Sequence, residues 1–170
     1  MLSTLRKFST PVATIGLLAV LIGSAQAQSW QRVSPAGSGF SIQMPGTPEA
    51  STSSVSTAIG PVPMHMYMIS SAAEAYFVAY SDFPTNVDVQ RCFDGARDSA
   101  FANGRVYSES NTSLNGYPGR TIVGTKDGFR ATLRMYSANG RFYQVLYLSP
   151  SSSSLPQTAV AFFDSFRILR

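Results

Sequence analysis

Met64-His65-Met66-Tyr67-Met68 is the run of this chain whose side chains are best suited to hold a soft metal ion. Thioether sulfur and imidazole favour Cu(I). On a strand, residues two apart share a face at about 7 Å. Met64, Met66 and Met68 would therefore stand on one side, with His65 on the other. Read as a metal site, the run offers Met64, His65, Met66 and Met68 as copper ligands, and Met44 completes the sulfur set if its strand lies alongside. Read as packing, the methionines form an apolar stripe on a sheet, and the chain needs no cofactor. The packing reading is the preferred one.

A second constellation gathers arginines and tyrosines. Asp127-Gly128 and Asn139-Gly140 have the composition of tight hairpin turns. From those turns Arg120 is expected opposite Arg134, and Arg134 opposite Val145, with Arg130, Tyr136, Tyr143 and Tyr147 on the same face. Arg120, Arg130, Arg134, Tyr136 and Tyr143 could then bind an anionic ligand or an acidic partner surface. If helices cover that face, the arginine stems pack and their heads pair with carboxylates such as Asp164.

Catalytic sets are hard to assemble. His65 is the single histidine, and no serine sits in a Gly-x-Ser-x-Gly elbow. One histidine and one cysteine fall short of a catalytic zinc site. Asp94 and Asp98, beside Arg91 and Arg97, read as the solvated face of a helix. Cys92 reads as a small buried hydrophobe on the same helix. The expectation is a protein that is not an enzyme.

The elements that would position these groups follow from periodicity and punctuation. Short strands are expected at 30–33 and 40–44, a polar hairpin from Glu49 to Ile69 turning through 58–63, and an apolar strand at 75–80. Asp88 is a candidate N-cap for a helix from Val89 to about Ala102, stopped by Asn103-Gly104. Strands at 105–114 and 120–125 are joined by a turn at 115–119. Two hairpin strands follow at 129–136 and 141–148, the last apolar on both faces and so expected to be covered from both sides. An amphipathic helix closes the chain from Pro156 to Leu169, burying Ala159, Phe162, Phe163 and Phe166. The order predicts an α+β fold in which helices pack on an antiparallel sheet.

Phe40-Ser-Ile-Gln-Met-Pro45, Gly116-Tyr-Pro-Gly-Arg120, Arg141-Phe-Tyr-Gln-Val145 and Phe162-Phe-Asp-Ser-Phe-Arg167 together resemble small exported bacterial proteins related in fold to PsbP, the extrinsic protein of the photosystem II oxygen-evolving complex. The resemblance spans most of the chain and its motifs are structural. It implies an α/β/α sandwich with a central antiparallel sheet, an N-terminal β-hairpin region and a C-terminal helix, in proteins that mostly bind or assemble others. Features specific to photosystem or manganese binding have no counterpart here.

Residues 1–27 have the pattern of a secretory signal: basic Arg6 and Lys7, an apolar stretch from Pro11 to Gly23, and Ala25-Gln26-Ala27 for cleavage. The apolar stretch is shorter than the roughly 20 residues that span a bilayer. Residues 28–170 then form one domain, periplasmic or secreted, with no membrane span once the signal is cleaved. The signal holds two of the thirteen basic residues, leaving eleven against nine acidic ones, too balanced for nucleic acid. With Cys92 alone, no intramolecular disulfide can form. The functional expectation is a soluble exported module that binds a protein or cell-envelope component through the arginine/tyrosine face or the polar hairpin, with periplasmic Cu(I) binding as the alternative.

Overall fold

The computed structural model describes residues 29–57, 59–84, 86–150 and 154–169. The expected signal, residues 1–27, and the serines at 151–153 lie outside them. Among the described residues ten strands and two helices run in the order β1 (Gln31–Val33), β2 (Phe40–Met44), β3 (Glu49–Thr57), β4 (Gly60–Ser70), β5 (Ala75–Asp82), α1 (Val89–Ala100), β6 (Gly104–Leu114), β7 (Tyr117–Lys126), β8 (Phe129–Ala138), β9 (Arg141–Pro150), α2 (Gln157–Asp164) and β10 (Arg167–Ile168). Seven of them form an antiparallel sheet in the order β3-β4-β5-β9-β8-β7-β6. β1, β2 and β10 form a separate small sheet with β2 at its centre. The α+β class and the sandwich are as the sequence leads one to expect.

Three consecutive hairpins, β6-β7, β7-β8 and β8-β9, turn on Asn115-Gly116, Asp127-Gly128 and Asn139-Gly140, and both residues of each turn have positive φ. That is the geometry a two-residue type I′ turn demands, and its twist matches that of the strands it joins. The first of these turns is shorter than expected: Tyr117, Pro118 and Gly119 already belong to β7. β4 likewise starts early, at Gly60, and takes in Pro61 and Pro63. Both prolines precede His65, the first residue of β4 paired to β5, so their missing N–H groups cost nothing on that side of the ladder.

α1 begins as expected, with the Asp88 carboxylate accepting from the Gln90 and Arg91 backbone N–H groups. Its end differs. The helix stops at Ala100, and neither Asn103 nor Gly104 takes a left-handed conformation. Gly104 is required for another reason: a Cβ there would run into the Thr125 carbonyl, where β6 closes on β7 just before a bulge between Val106 and Ser108. The closing helix is also shorter than its apolar period suggests. α2 ends at Asp164, and Arg167-Ile168 pairs with Phe40-Ser41 as β10. Phe166 is buried as expected, but from the link between helix and strand.

Two cores result. α2 and the small sheet cover one face of the large sheet, burying Phe40, Ile42 and Met44 with Tyr76, Val78, Tyr143, Val145, Phe162 and Phe166. α1 covers the other, burying Phe93 and Phe101 with Ile122, Leu133, Met135 and Phe142. Leu146 and Leu148 are only half-buried on the α1 side, so β9 is covered fully on one face and partly on the other.

Candidate functional site

The register divides the arginine/tyrosine constellation. Arg134 does face Val145, and Tyr136 faces Tyr143. Arg120, however, pairs with Met135; Thr121 is the residue opposite Arg134. With Lys126 opposite Phe129 across the two-residue turn, counting back places Arg120 one residue out of step with Arg134 and therefore on the other face. The expected pair of opposed arginines does not exist. Arg120 lies on the α1 face, 8% exposed. Its Nη1 donates to Asp94 at 2.5 Å and to Glu109 at 2.7 Å, its Nη2 donates to Gln90 at 2.8 Å, and the guanidinium stands over the Phe93 ring. Asp94 is thus more than part of a solvated face: its hydrogen bond from Arg120 holds the carboxyl below the usual range.

On the α2 face, Arg134 donates to Asp164 and lies over the Phe163 ring. Asp164 is the carboxylate the sequence suggests for that role. Tyr136 stacks on Phe166, and Tyr143 is buried with its hydroxyl on the Gly39 carbonyl. Arg130 makes no ion pair among the described residues, and its Nε is buried without a hydrogen bond. Tyr147 and Tyr76 both donate to the Glu74 carboxylate, at 2.8 and 3.2 Å, and burial raises both phenols. Arg141, which sequence reasoning passed over, grips both oxygens of Asp82 and donates to the Gly37 carbonyl, tying β9 to the loop before β2. A bidentate arginine of this kind joins residues 59 positions apart, which no sequence period reveals.

The methionine run sits as its alternation predicts. Tyr67 and His65 face the α2 side, where His65 stacks on Tyr80 with ring centroids 4.8 Å apart and Nδ1 lies 3.1 Å from the Thr52 hydroxyl. Met66 and Met68 pair with Ala79 and Phe77 on the α1 side, and Gln144 donates to the Met64 sulfur. His65 cannot join the thioethers across the sheet. Met44 is buried in the core on the α2 side and does not complete a sulfur set.

What the methionines do join is a continuous apolar rung. Met68, Phe77, Leu146, Leu133 and Ile122 are register partners across β4, β5, β9, β8 and β7. Exposure falls along it from 40% at Met68, through half-buried Phe77 and Leu146, to 1% at Leu133 and 0% at Ile122. α1 closes one end of this rung and leaves the other open. Phe129, 41% exposed, stands on the same face. The diagonally opposite open area, on the α2 side of β6 and β7, carries Ser110, Thr112, Thr121 and Thr125 around a half-buried Val123. Among the described residues the first of these areas is mainly apolar and the second mainly hydroxyl-bearing.

Cys92 lines a recess of about 330 Å³ with Phe83, Pro84, Val89, Pro118 and Phe142. Burial pushes its thiol up, with a smaller push from Asp88. It is half-buried, in keeping with a packing role.

A sandwich with one helix on one side of an antiparallel sheet, and a helix with a small sheet on the other, defines the structural class. The solution structure of cyanobacterial PsbP from Synechocystis sp. PCC 6803 shares it, with a TM-score of 0.54 over 94% of this chain and 98% of that one, at 14% identity. No family model and no curated protein matches the sequence. The fold is PsbP-like, and at this identity the likeness concerns the fold alone. Among the described residues no helix is long and apolar enough to cross a membrane.

Proposed function

We propose that the protein is an exported, non-catalytic binding module that docks on a protein partner of the cell envelope, using the open end of the α1 face as its contact surface. The observation that carries this reading is the rung from Met68 to Ile122: an apolar row that starts in the core and runs out into solvent. Contiguous exposed apolar surface on a soluble domain marks interaction sites. Methionine suits such a surface because its flexible side chain adapts to the partner. The polar strand β3, where Glu49 and Ser51 are the register partners of Met68 and Met66, borders the patch as a hydrophilic rim. A non-catalytic role is supported by the commitment of carboxylates to partners: Asp94 and Glu109 to Arg120, Asp82 to Arg141, Asp164 to Arg134, and Glu74 to two tyrosines. Export rests on the signal pattern of residues 1–27.

Pull-down from the native envelope tests the reading with Met68→Asp and Met68→Leu. The aspartate variant should lose the partner and the leucine variant should keep it; equal recovery with both would exclude the patch. Cu(I) binding is the second reading, favoured by the common face of Met64, Met66 and Met68. It separates cleanly, because changing all three to Leu abolishes a thioether site and preserves an apolar docking surface.

A further inference from the structure

We propose that the outward face of the small sheet is a binding site for a phosphate-type oxyanion, built by Arg32 and Arg167 on either side of Ser41. Arg32 is the register partner of Gln43, and Arg167 that of Ser41. By strand alternation these four side chains stand on one face, while Phe40, Ile42 and Ile168 face the core. With Ser165 they line a recess of about 230 Å³, small for a cofactor and suited to a compact anion.

Both arginines are exposed, and their guanidinium groups donate to neutral acceptors. Arg32 Nη2 donates to the Ser41 hydroxyl at 3.2 Å. Arg167 Nη1 donates to the Asp164 and Phe166 carbonyls at 2.6 and 2.8 Å. The Asp164 carboxylate itself is turned to Arg134. Among the described residues no carboxylate lies within 4.0 Å of either arginine. Arg120, Arg134 and Arg141 are all neutralised by acids, so this pair differs from the fold's structural arginines. Each head keeps unused N–H donors, and two positioned forks that share no counter-ion are the arrangement that recognises a phosphate group.

The phosphate could be free or carried by a lipid headgroup, and two arms separate these sources. In the first, the isotope-labelled protein is titrated with inorganic phosphate and its amide resonances are followed. Saturable shifts are expected at Ser41, Gln43, Ser165 and Arg167. Arg32→Gln and Arg32→Lys should each weaken binding by about tenfold, the lysine because it keeps the charge and loses the fork. Arg130→Gln, removing an arginine of the large sheet that does not line the recess, should leave binding unchanged. In the second arm, the same proteins are sedimented with phosphatidylglycerol vesicles and with phosphatidylcholine vesicles. Binding to the anionic vesicles alone, weakened by both Arg32 variants, with no response to inorganic phosphate, assigns the site to a headgroup. Silence in both arms, or binding that Arg32→Gln and Arg32→Lys leave intact while the variants remain folded by thermal unfolding, overturns the proposal.

Discussion

Arg120 is a charge brought into the interior with its neutralisation built around it: two carboxylates, one amide oxygen and the face of a phenyl ring. Breaking such a cluster strands the groups that remain, so Arg120→Ala should cost about 3 kcal/mol in denaturant unfolding. The acid dependence follows from Asp94. Its carboxyl is held down in the folded chain by Arg120. Its contribution is therefore present above the ordinary carboxylate range and is lost as pH falls through the lowered folded value. Asp94→Asn should flatten the acid limb of a stability-pH profile, while an unchanged limb would assign acid sensitivity to other groups. Tyrosines set the alkaline limb. Burial raises Tyr76, Tyr136, Tyr143 and Tyr147 above their ordinary value of 10.0. A raised phenol stabilises the fold fully below that value and stops doing so as pH climbs through the folded one. Stability should hold to about pH 9 and then fall, with phenolate absorbance rising together with unfolding.

Hairpins were the most legible elements, because Asp127-Gly128 and Asn139-Gly140 announce their own backbone geometry. Asn139→Ala places an ordinary side chain at positive φ and should lower stability by about 1 kcal/mol in thermal or denaturant melts, whereas Asn139→Gly should be nearly neutral. The first Asn-Gly turn was obscured by Tyr117-Pro118-Gly119, whose composition reads as loop though the residues form a strand. β10 was hidden by Phe166, which completes a helical apolar period from just beyond the last turn of α2. The same phenylalanine stacks on Phe40 and Tyr136, so Phe166→Ala should cost about 3 to 5 kcal/mol in the same melts. At the candidate site, alternation correctly put Met64, Met66 and Met68 on one face and His65 on the other. Register is less forgiving: one residue's error moved Arg120 across the sheet and produced an arginine pair that the fold does not contain.

At the scale of the whole molecule, the two layers cover the sheet along opposite diagonals, α1 over β7 and β8, and α2 with the small sheet over β5 and β9. The chemistry of the two areas left bare differs, mainly threonine and serine on one and methionine, phenylalanine and leucine on the other. Sequence periodicity can mark a strand as apolar on both faces, and it did so for β9. It cannot say how far a helix reaches across the sheet, because that depends on loop path and crossing angle. The open apolar end of the rung was therefore invisible until the helices were placed. A photo-crosslinking amino acid installed singly at Met68, Phe129 and Tyr107, in the full chain in its native cell, shows whether the open end of the α1 face meets a partner. Tyr107 is 56% exposed on β6, the edge strand opposite the β3-β4 end of the sheet that carries Met68, and serves as the aromatic control. Adducts to one and the same protein from Met68 and Phe129, with none from Tyr107, are the predicted result. Equal adducts from all three positions, or none from Met68 and Phe129, would exclude the open α1 face as the docking surface.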